Sequence, residues 1–97
     1  MKMLTKADLN QLPKLYETED EDNPIVWIKF FTPWSQWTWY VVEFDGEDVF
    51  YGYVDGLEPE LGCFTLSELE SVKGPFGLKV ERDRYFKPCR LEDLKQT

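Results

Sequence analysis

The 97 residues include 42% hydrophobic and 16% aromatic side chains, which excludes a disordered chain and predicts one small domain over residues 1–97. The net charge is −8, and residues 17–72 hold fourteen acids against a single base, Lys29. Because such an acidic centre repels phosphates, we expect no direct binding of nucleic acid.

Targeting and redox features are sparse. No stretch approaches the about 18 apolar residues of a membrane span, and residues 1–10 lack the apolar run of a signal peptide. We therefore expect a cytoplasmic protein without membrane contact. The chain has two cysteines, Cys63 and Cys89, and no histidine. Free buried thiols are thus favoured over a disulfide or a zinc site, and no metal or cofactor is expected.

The first predicted element is a short helix that begins after Thr5. Thr5 is suited to be its N-cap with Asp8 at the third helical position, and Pro13 should end the helix near Leu12. Five acids follow in residues 17–24, a segment interpreted as a solvated acidic loop. An acidic docking motif is the alternative.

Three strands are predicted next, over residues 25–31, 37–44 and 47–54, from β-branched and aromatic content. Asp45-Gly46 is typical of a two-residue hairpin turn. In that register Val41 faces Phe50 and Trp39 faces Gly52, with Phe44 on the face of the tyrosines. The same register opposes Glu43 and Asp48, so either a four-residue loop is used or the two carboxylates share a role.

The second half of the chain contains one strong helix signal. Thr65-Leu-Ser-Glu68 is a capping box with Leu66, Leu69 and Val72 at helical spacing. Residues 78–86 alternate weakly and predict a fourth strand, and residues 90–95 predict a last helical turn. The expected fold is α+β, with an antiparallel meander of three to four strands and two or three short helices.

The aromatic residues point to a binding surface. Eleven of the sixteen aromatic residues lie between Trp27 and Tyr53, more than one face of a small sheet can bury. Tyrosine and tryptophan are also enriched in interface hot spots. We expect a partner-binding face and an acidic rim; the alternatives are that a helix covers this face or that the face of the tryptophans is the solvent-exposed one. The residues expected on this face are Trp27, Lys29, Tyr40, Tyr51 and Tyr53. Trp34, in the turn after Pro33, is expected to be partly exposed and to join the partner-binding set, and the rim comprises Glu43, Asp45, Glu47 and Asp48.

Few residues suggest catalysis. General acid–base chemistry usually uses histidine, which the chain lacks. Glu43 and Asp48 form the best carboxylate pair, but a pair at a hairpin tip is usually solvent-exposed and therefore poorly tuned for proton transfer. Cys63 precedes a helix without a base to activate it, so a packed thiol is favoured. We predict that the protein is not an enzyme.

The whole sequence resembles a family. The segments that carry the resemblance are LTKADLNQLPKLYETED, KFFTPWSQWTWYVVEFDGEDVFYGYVDGLEPELG and FTLSELESVKGPFGLKVERDRYFKP. They resemble small bacterial proteins grouped as domain of unknown function 2958. The resemblance implies accessory proteins of plasmids, conjugative elements and phages, without an assigned activity or catalytic residues. In that family the position of Cys63 more often holds an aromatic residue.

Three functional hypotheses follow. The first is a non-enzymatic module that binds a protein partner through the aromatic face and acidic rim. The second is a nucleic-acid mimic whose carboxylates, in residues 17–22, 43–48 and 55–60, occupy phosphate-like positions and block a DNA-binding or defence protein. The third is a metal-dependent enzyme built on Glu43 and Asp48.

Overall fold

A computed structural model describes residues 3–95; residues 1, 2, 96 and 97, which the predicted domain also includes, lie outside the described part. Three short helices lie in this part, α1 (Lys6–Gln11), α2 (Leu66–Ser71) and α3 (Leu91–Lys95). Its strands are β1 (Ile25–Val26), β2 (Ile28–Phe31), β3 (Thr38–Phe44), β4 (Val49–Asp55), β5 (Pro59–Thr65), β6 (Glu81–Arg82) and β7 (Cys89–Arg90). The α+β class is confirmed. In residues 3–95 no helix is long and apolar enough to cross a bilayer.

The described strands form a five-stranded antiparallel sheet in the order β5-β4-β3-β2-β6 and a separate pair of β1 with β7. The strands from β2 to β5 form the expected antiparallel meander, but β5 was not predicted. The predicted strand over 25–31 is interrupted at Trp27, where β1 leaves the main sheet to pair with β7. The predicted strand over 78–86 is reduced to β6.

The predicted helix starts are confirmed, because helix capping depends on neighbouring residues. The Thr5 hydroxyl accepts the Asp8 N–H at 3.2 Å, and the Asp8 carboxylate accepts the Thr5 N–H at 2.7 Å. The Thr65 hydroxyl accepts the Glu68 N–H at 3.1 Å, but the Glu68 carboxylate accepts from that hydroxyl at 3.0 Å, so only the first half of the predicted capping box is present. The last predicted helical turn is present as α3.

The predicted two-residue hairpin turn is wrong. Phe44 pairs with Phe50 and Val41 with Gly52, so four residues, 45–48, connect β3 to β4. The Asp45 carboxylate accepts the N–H groups of Glu47, Asp48 and Val49 at 2.8, 2.8 and 3.0 Å. In this Asx turn the carboxylate accepts the main-chain N–H groups of the longer loop. The alternative of a four-residue loop is therefore the correct one.

A β-bulge in β3 sets the two faces of the sheet. The register shifts between Val41 and Glu43, so Val42 and Glu43 both lie on the face of the tyrosines, while Phe44 turns to the other face. The predicted position of Phe44 among the tyrosines is therefore wrong. The core face buries Ile28, Phe30, Trp39, Val41, Phe44, Phe50 and Phe64 against Met3, Leu12, Leu69 and Val80. The tyrosine face carries Tyr40, Val42, Glu43, Tyr51 and Tyr53, with Leu91 and Leu94 of α3 packed over part of it.

Candidate functional site

The expected aromatic face is not one continuous surface. Trp27 is half-buried against the core-face cluster, on the opposite side from the tyrosines. Trp34 is half-buried elsewhere, with its ring so close to Gly74 that a Cβ on that glycine would overlap it. The prediction that Trp27 joins the tyrosines is corrected, since the strand is interrupted there. Trp34 is partly exposed, as expected, but lies apart from the tyrosines.

Tyr40 and Tyr53 belong to a small cluster beneath α3. Their rings are paired at 6.1 Å between centroids, and the ring of Phe86 lies 6.0 Å from that of Tyr40. The Lys95 ammonium lies 5.6 Å from the centre of the Tyr53 ring. Burial, followed by the negative charge of Asp55, raises the pKa of Tyr40. The alternative in which a helix covers this face is therefore found for the part that holds Tyr40 and Tyr53.

Lys29 lies at the far side of the tyrosine face, paired across the strands with Tyr40. Its ammonium is 3.6 Å from the Asp83 carboxylate, and both side chains are partly exposed. An exposed ion pair of this kind contributes little to stability. Lys29 is therefore engaged with the 83–88 loop rather than placed beside Tyr51.

The four residues of the predicted acidic rim have different surroundings and do not form one rim. Asp45 binds the main chain of its own turn, and those hydrogen bonds, from Glu47 and then Asp48, lower its pKa. Asp48 accepts both the N–H and the hydroxyl of Ser67 at 2.8 Å, which joins the hairpin tip to the start of α2. Glu47 is exposed at the tip. The two-residue turn would have opposed Glu43 and Asp48, but the longer loop sets Phe44 opposite Phe50 and Glu43 opposite Tyr51.

Glu43 is a buried anchor for the acidic loop. Its side chain is only 3% exposed, and one carboxylate oxygen accepts the Tyr16 N–H at 2.9 Å. The other accepts the Thr18 N–H at 2.9 Å and the Thr18 hydroxyl. Hydrogen bonds to an ionised acceptor are about twice as strong as neutral ones, so this carboxylate fixes the loop to the sheet. Glu43 is thus not a rim residue.

The loop held by Glu43 is a series of tight turns. The N–H groups of Glu17, Glu19 and Glu21 each donate to a carbonyl three residues earlier, at 3.1, 3.3 and 2.9 Å. Tyr16 has φ of 72°, a left-handed conformation that costs a tyrosine energy and persists only when surrounding contacts impose it. Its side chain is 76% exposed. The Glu43 anchor therefore holds an aromatic ring out in solvent at the loop.

A groove of about 300 Å³ lies between this loop, the tyrosine face and α3. Its walls combine an apolar floor with a carboxylate border, and no basic residue is among the described residues that line it. The lining comprises Leu15, Tyr16, Thr18, Glu19, Glu21, Asp22, Pro24, Glu43, Tyr51, Leu61, Cys63 and Leu91. Of the predicted partner-binding residues, Tyr51 lines the groove. The volume is at the low end of about 300–1,000 Å³ for ligand pockets, which suits side chains better than a large cofactor.

The floor of the groove is completed by β5. Leu61 and Cys63 lie on the same face as Tyr53 and Tyr51, their partners across the strands, and Leu61 is 45% exposed. Both cysteines are free thiols, but Cys63 is exposed, so its expected burial is wrong. The reason is that β5 is the outermost strand of the sheet. Cys89 is half-buried, and burial followed by the charge of Asp93 raises its pKa.

Across residues 3–95, no three cysteine or carboxylate side chains are grouped closely enough to hold a metal ion. The buried side-chain nitrogen and oxygen atoms of this part of the chain all have hydrogen-bond partners. The groove offers an exposed apolar floor next to a fixed set of carboxylates.

Two sequence signals could have indicated the groove. Glu43 is the one charged residue inside the apolar run YVVEF, and a lone acid within a strand often marks a buried hydrogen-bonding role. Leu61, Cys63 and Thr65 alternate with Gly62 and Phe64, which is a strand pattern weakened by the glycine.

Comparison with protein-family models identifies a family. The model of a family described as "Protein of unknown function (DUF2958)" matches residues 2–92. Searches of the curated proteins and of the solved structures found no match.

Proposed function

Because the chain belongs to the family of proteins of unknown function DUF2958, we propose its function from its geometry: it is a non-enzymatic protein-binding module that holds its partner in the acidic groove. One observation carries the proposal. An exposed apolar floor lies directly beside a carboxylate loop that a buried side chain, Glu43, fixes in place.

The exposed floor favours a macromolecular partner. Leu61 and Tyr16 both line the groove and expose much of their surface, and exposed apolar side chains around a groove often mark interaction sites. Tyr16 and Tyr51 supply contact area with few rotatable bonds, which limits the entropy lost on binding. The fixed loop limits that loss further.

The charge of the groove favours a basic partner. Glu19, Glu21 and Asp22 border the floor, and the described lining residues provide no positive charge to balance them. Complementary charge accelerates association and disfavours wrong partners. The same charge opposes nucleic acid. The setting that the family resemblance implies, a mobile element or phage in the bacterial cytoplasm, belongs to this proposal.

The nucleic-acid mimic remains a second candidate, supported by the exposed acids of residues 17–22. Its second group of carboxylates gives weaker support, because Glu43 is buried and Asp45 and Asp48 accept local hydrogen bonds. The enzyme hypothesis loses its carboxylate pair, since Glu43 faces Tyr51 and Asp48 binds Ser67.

The test is capture of partners in the native host by the tagged full chain, with two matched variants. Leu61→Glu places a charge on the floor, whereas Leu57→Glu makes the same change at a residue that is 90% exposed and outside the groove. We expect Leu61→Glu to lose the captured protein by at least about tenfold and Leu57→Glu to retain it, with melting temperatures unchanged.

Equal capture by the wild type and both variants would contradict the groove as the binding site. Salt separates the two candidates. Affinity that falls steeply with ionic strength and is insensitive to Leu61→Glu would favour the mimic, because exposed charges alone are screened by salt.

A further inference from the structure

The outer edge of β5 is open. In the sheet formed by the described residues, β5 pairs with β4 on one side and has no strand on the other. Exposed strand edges invite pairing with another chain, so natural proteins usually protect them with proline or charge. Here Pro59 and Glu60 protect only the first end of the strand. The stretch from Leu61 to Cys63 carries neither.

The alternation of hydrogen-bonded pairs between β4 and β5 shows which main-chain groups this edge presents. The Leu66 N–H donates to the Asp48 carbonyl at 2.8 Å, and Asp45 donates to the Val49 carbonyl, which points away from β5. Since hydrogen-bonded and non-hydrogen-bonded pairs alternate in an antiparallel ladder, Val49–Thr65, Tyr51–Cys63 and Tyr53–Leu61 are non-hydrogen-bonded pairs. The N–H and C=O of Leu61 and Cys63 therefore point outwards, away from β4.

The same two residues line the groove. A strand added along this edge would alternate its side chains between the groove and the opposite face. Those on the groove face would meet Leu61 and the carboxylates of Glu19 and Glu21, which suits lysine or arginine, whose apolar stems pack while the charged heads reach acids. On the other face, Gly62 leaves open space where a Cβ would lie, which suits an aliphatic side chain.

We propose that the partner contributes an extended segment of alternating basic and aliphatic residues, which pairs with Leu61 and Cys63 as an additional strand. This inference rests on the proposed function and names the chemistry of the partner. A second copy of the chain is a poor occupant, because its own net charge is −8 and its β5, PELGCFT, has no basic side chain to offer the acidic groove.

The test uses three synthetic peptides and calorimetric titration against the full chain. The first alternates lysine and valine over eight residues; the second has the same sequence with alternate main-chain nitrogens methylated; the third replaces lysine by glutamate. We expect the first peptide to bind at least about tenfold more tightly than the others, since the second loses main-chain hydrogen bonds and the third loses charge complementarity. It should also slow amide exchange at Leu61 and Cys63.

Two protein variants test the same edge from the other side. Cys63→Pro removes an outward N–H that β4 does not use, whereas Cys63→Ser keeps it. We expect Cys63→Pro to lose the lysine–valine peptide and Cys63→Ser to bind it. If Cys63→Pro does not fold, the difference in affinity between the methylated and unmethylated peptides tests strand addition instead.

Equal binding of the methylated and unmethylated peptides, or no binding of any peptide up to about 1 mM, would overturn strand addition. These outcomes are distinct from failure of the groove itself. If Leu61→Glu still abolishes capture of the native partner while the peptides show no preference, the protein-binding function stands and the partner binds in another conformation.

Discussion

The two faces of the central sheet differ in how completely they are buried. The core face is closed: Phe30 and Phe50 are fully buried, and the ring of Phe50 lies 4.6 Å from that of Phe44 and 5.3 Å from that of Phe64. The tyrosine face is closed beneath α3 but open at the groove, where a buried acid holds a charged loop. One face is therefore a closed core, and the other leaves part of its surface exposed at the groove.

The largest expected effect is on the core face. Phe50→Ala should lower the free energy of unfolding by about 3–5 kcal/mol, because it removes a fully buried ring and leaves a cavity among three others. Chemical denaturation measures the loss. Phe76→Ala is the control: its ring is 99% exposed, and it should change stability by less than about 0.5 kcal/mol. Similar losses in both variants would contradict the closed core.

The second effect concerns the ion pair that joins α1 to β6. The Arg82 guanidinium donates to both carboxylate oxygens of Asp8. Burial acts to raise the pKa of Asp8, but hydrogen bonds from Arg82 and Thr5 outweigh it, so the pKa is lowered from its ordinary 3.8. Because the pKa of Asp8 is lower in the folded state, its ionised form stabilises the protein at pH values above its pKa in the unfolded chain. This contribution is lost as the pH falls through the pKa of the folded state.

Asp8→Asn should therefore cost about 2 kcal/mol at pH 7, and its difference from the wild type should shrink as the pH falls below the ordinary pKa of 3.8. Urea denaturation at several pH values measures this difference. Asp20→Asn, a change at an exposed loop acid, is the control. A difference that stays constant as the pH is lowered below that value would mean that the ionised pair is not its source.

A smaller effect is expected at the anchor of the groove. Glu43→Gln keeps the shape of the side chain but removes its charge, which weakens the hydrogen bonds from Tyr16 and Thr18. We expect a loss of about 1–2 kcal/mol in the free energy of unfolding, with faster amide exchange at Tyr16 and Thr18 and unchanged exchange in β4. Glu47→Gln, at the exposed hairpin tip, should change neither. Faster exchange throughout the sheet would show that the two faces are not independent.

The smallest effect on stability, and a large one on binding, is expected at the mouth of the groove. Tyr16→Ala removes an exposed ring and should change the free energy of unfolding by less than about 0.5 kcal/mol. Partner capture should fall by about tenfold, the scale of a hot-spot residue. Tyr85→Ala, which removes a ring that is 92% exposed outside the groove, should leave capture unchanged. Loss of capture in both variants would point to a different binding surface.

How far the fold was predictable depended on the distance between interacting residues. α1 and α2 were predictable because Thr5 with Asp8 and Thr65 with Glu68 lie three residues apart. The hairpin register was not, because Asp45-Gly46 is typical of a two-residue turn until the Asp45 carboxylate binds the main chain of a longer one. β5 was missed because Gly62 weakens its alternation and its pairing partner, β4, had to be placed first.

The candidate site was only partly predictable. Tyr51 was expected to bind a partner and does line the groove, whereas Trp27 and Trp34 lie elsewhere. Leu61 and Tyr16 were not expected, because neither belongs to the aromatic run that suggested a surface. The role of Glu43 required knowledge of a bulge and of a loop more than twenty residues away in the chain.

The amino-acid sequence by itself determined the α+β class, the capped helix starts, the strand-forming centre and the acidic charge, because each follows from composition or from contacts between near neighbours. Only the tertiary structure decided which rings are covered, where β5 pairs and what Glu43 holds. Those outcomes depend on the β-bulge and on the docking of α3 and the acidic loop, which bring together residues far apart in the chain.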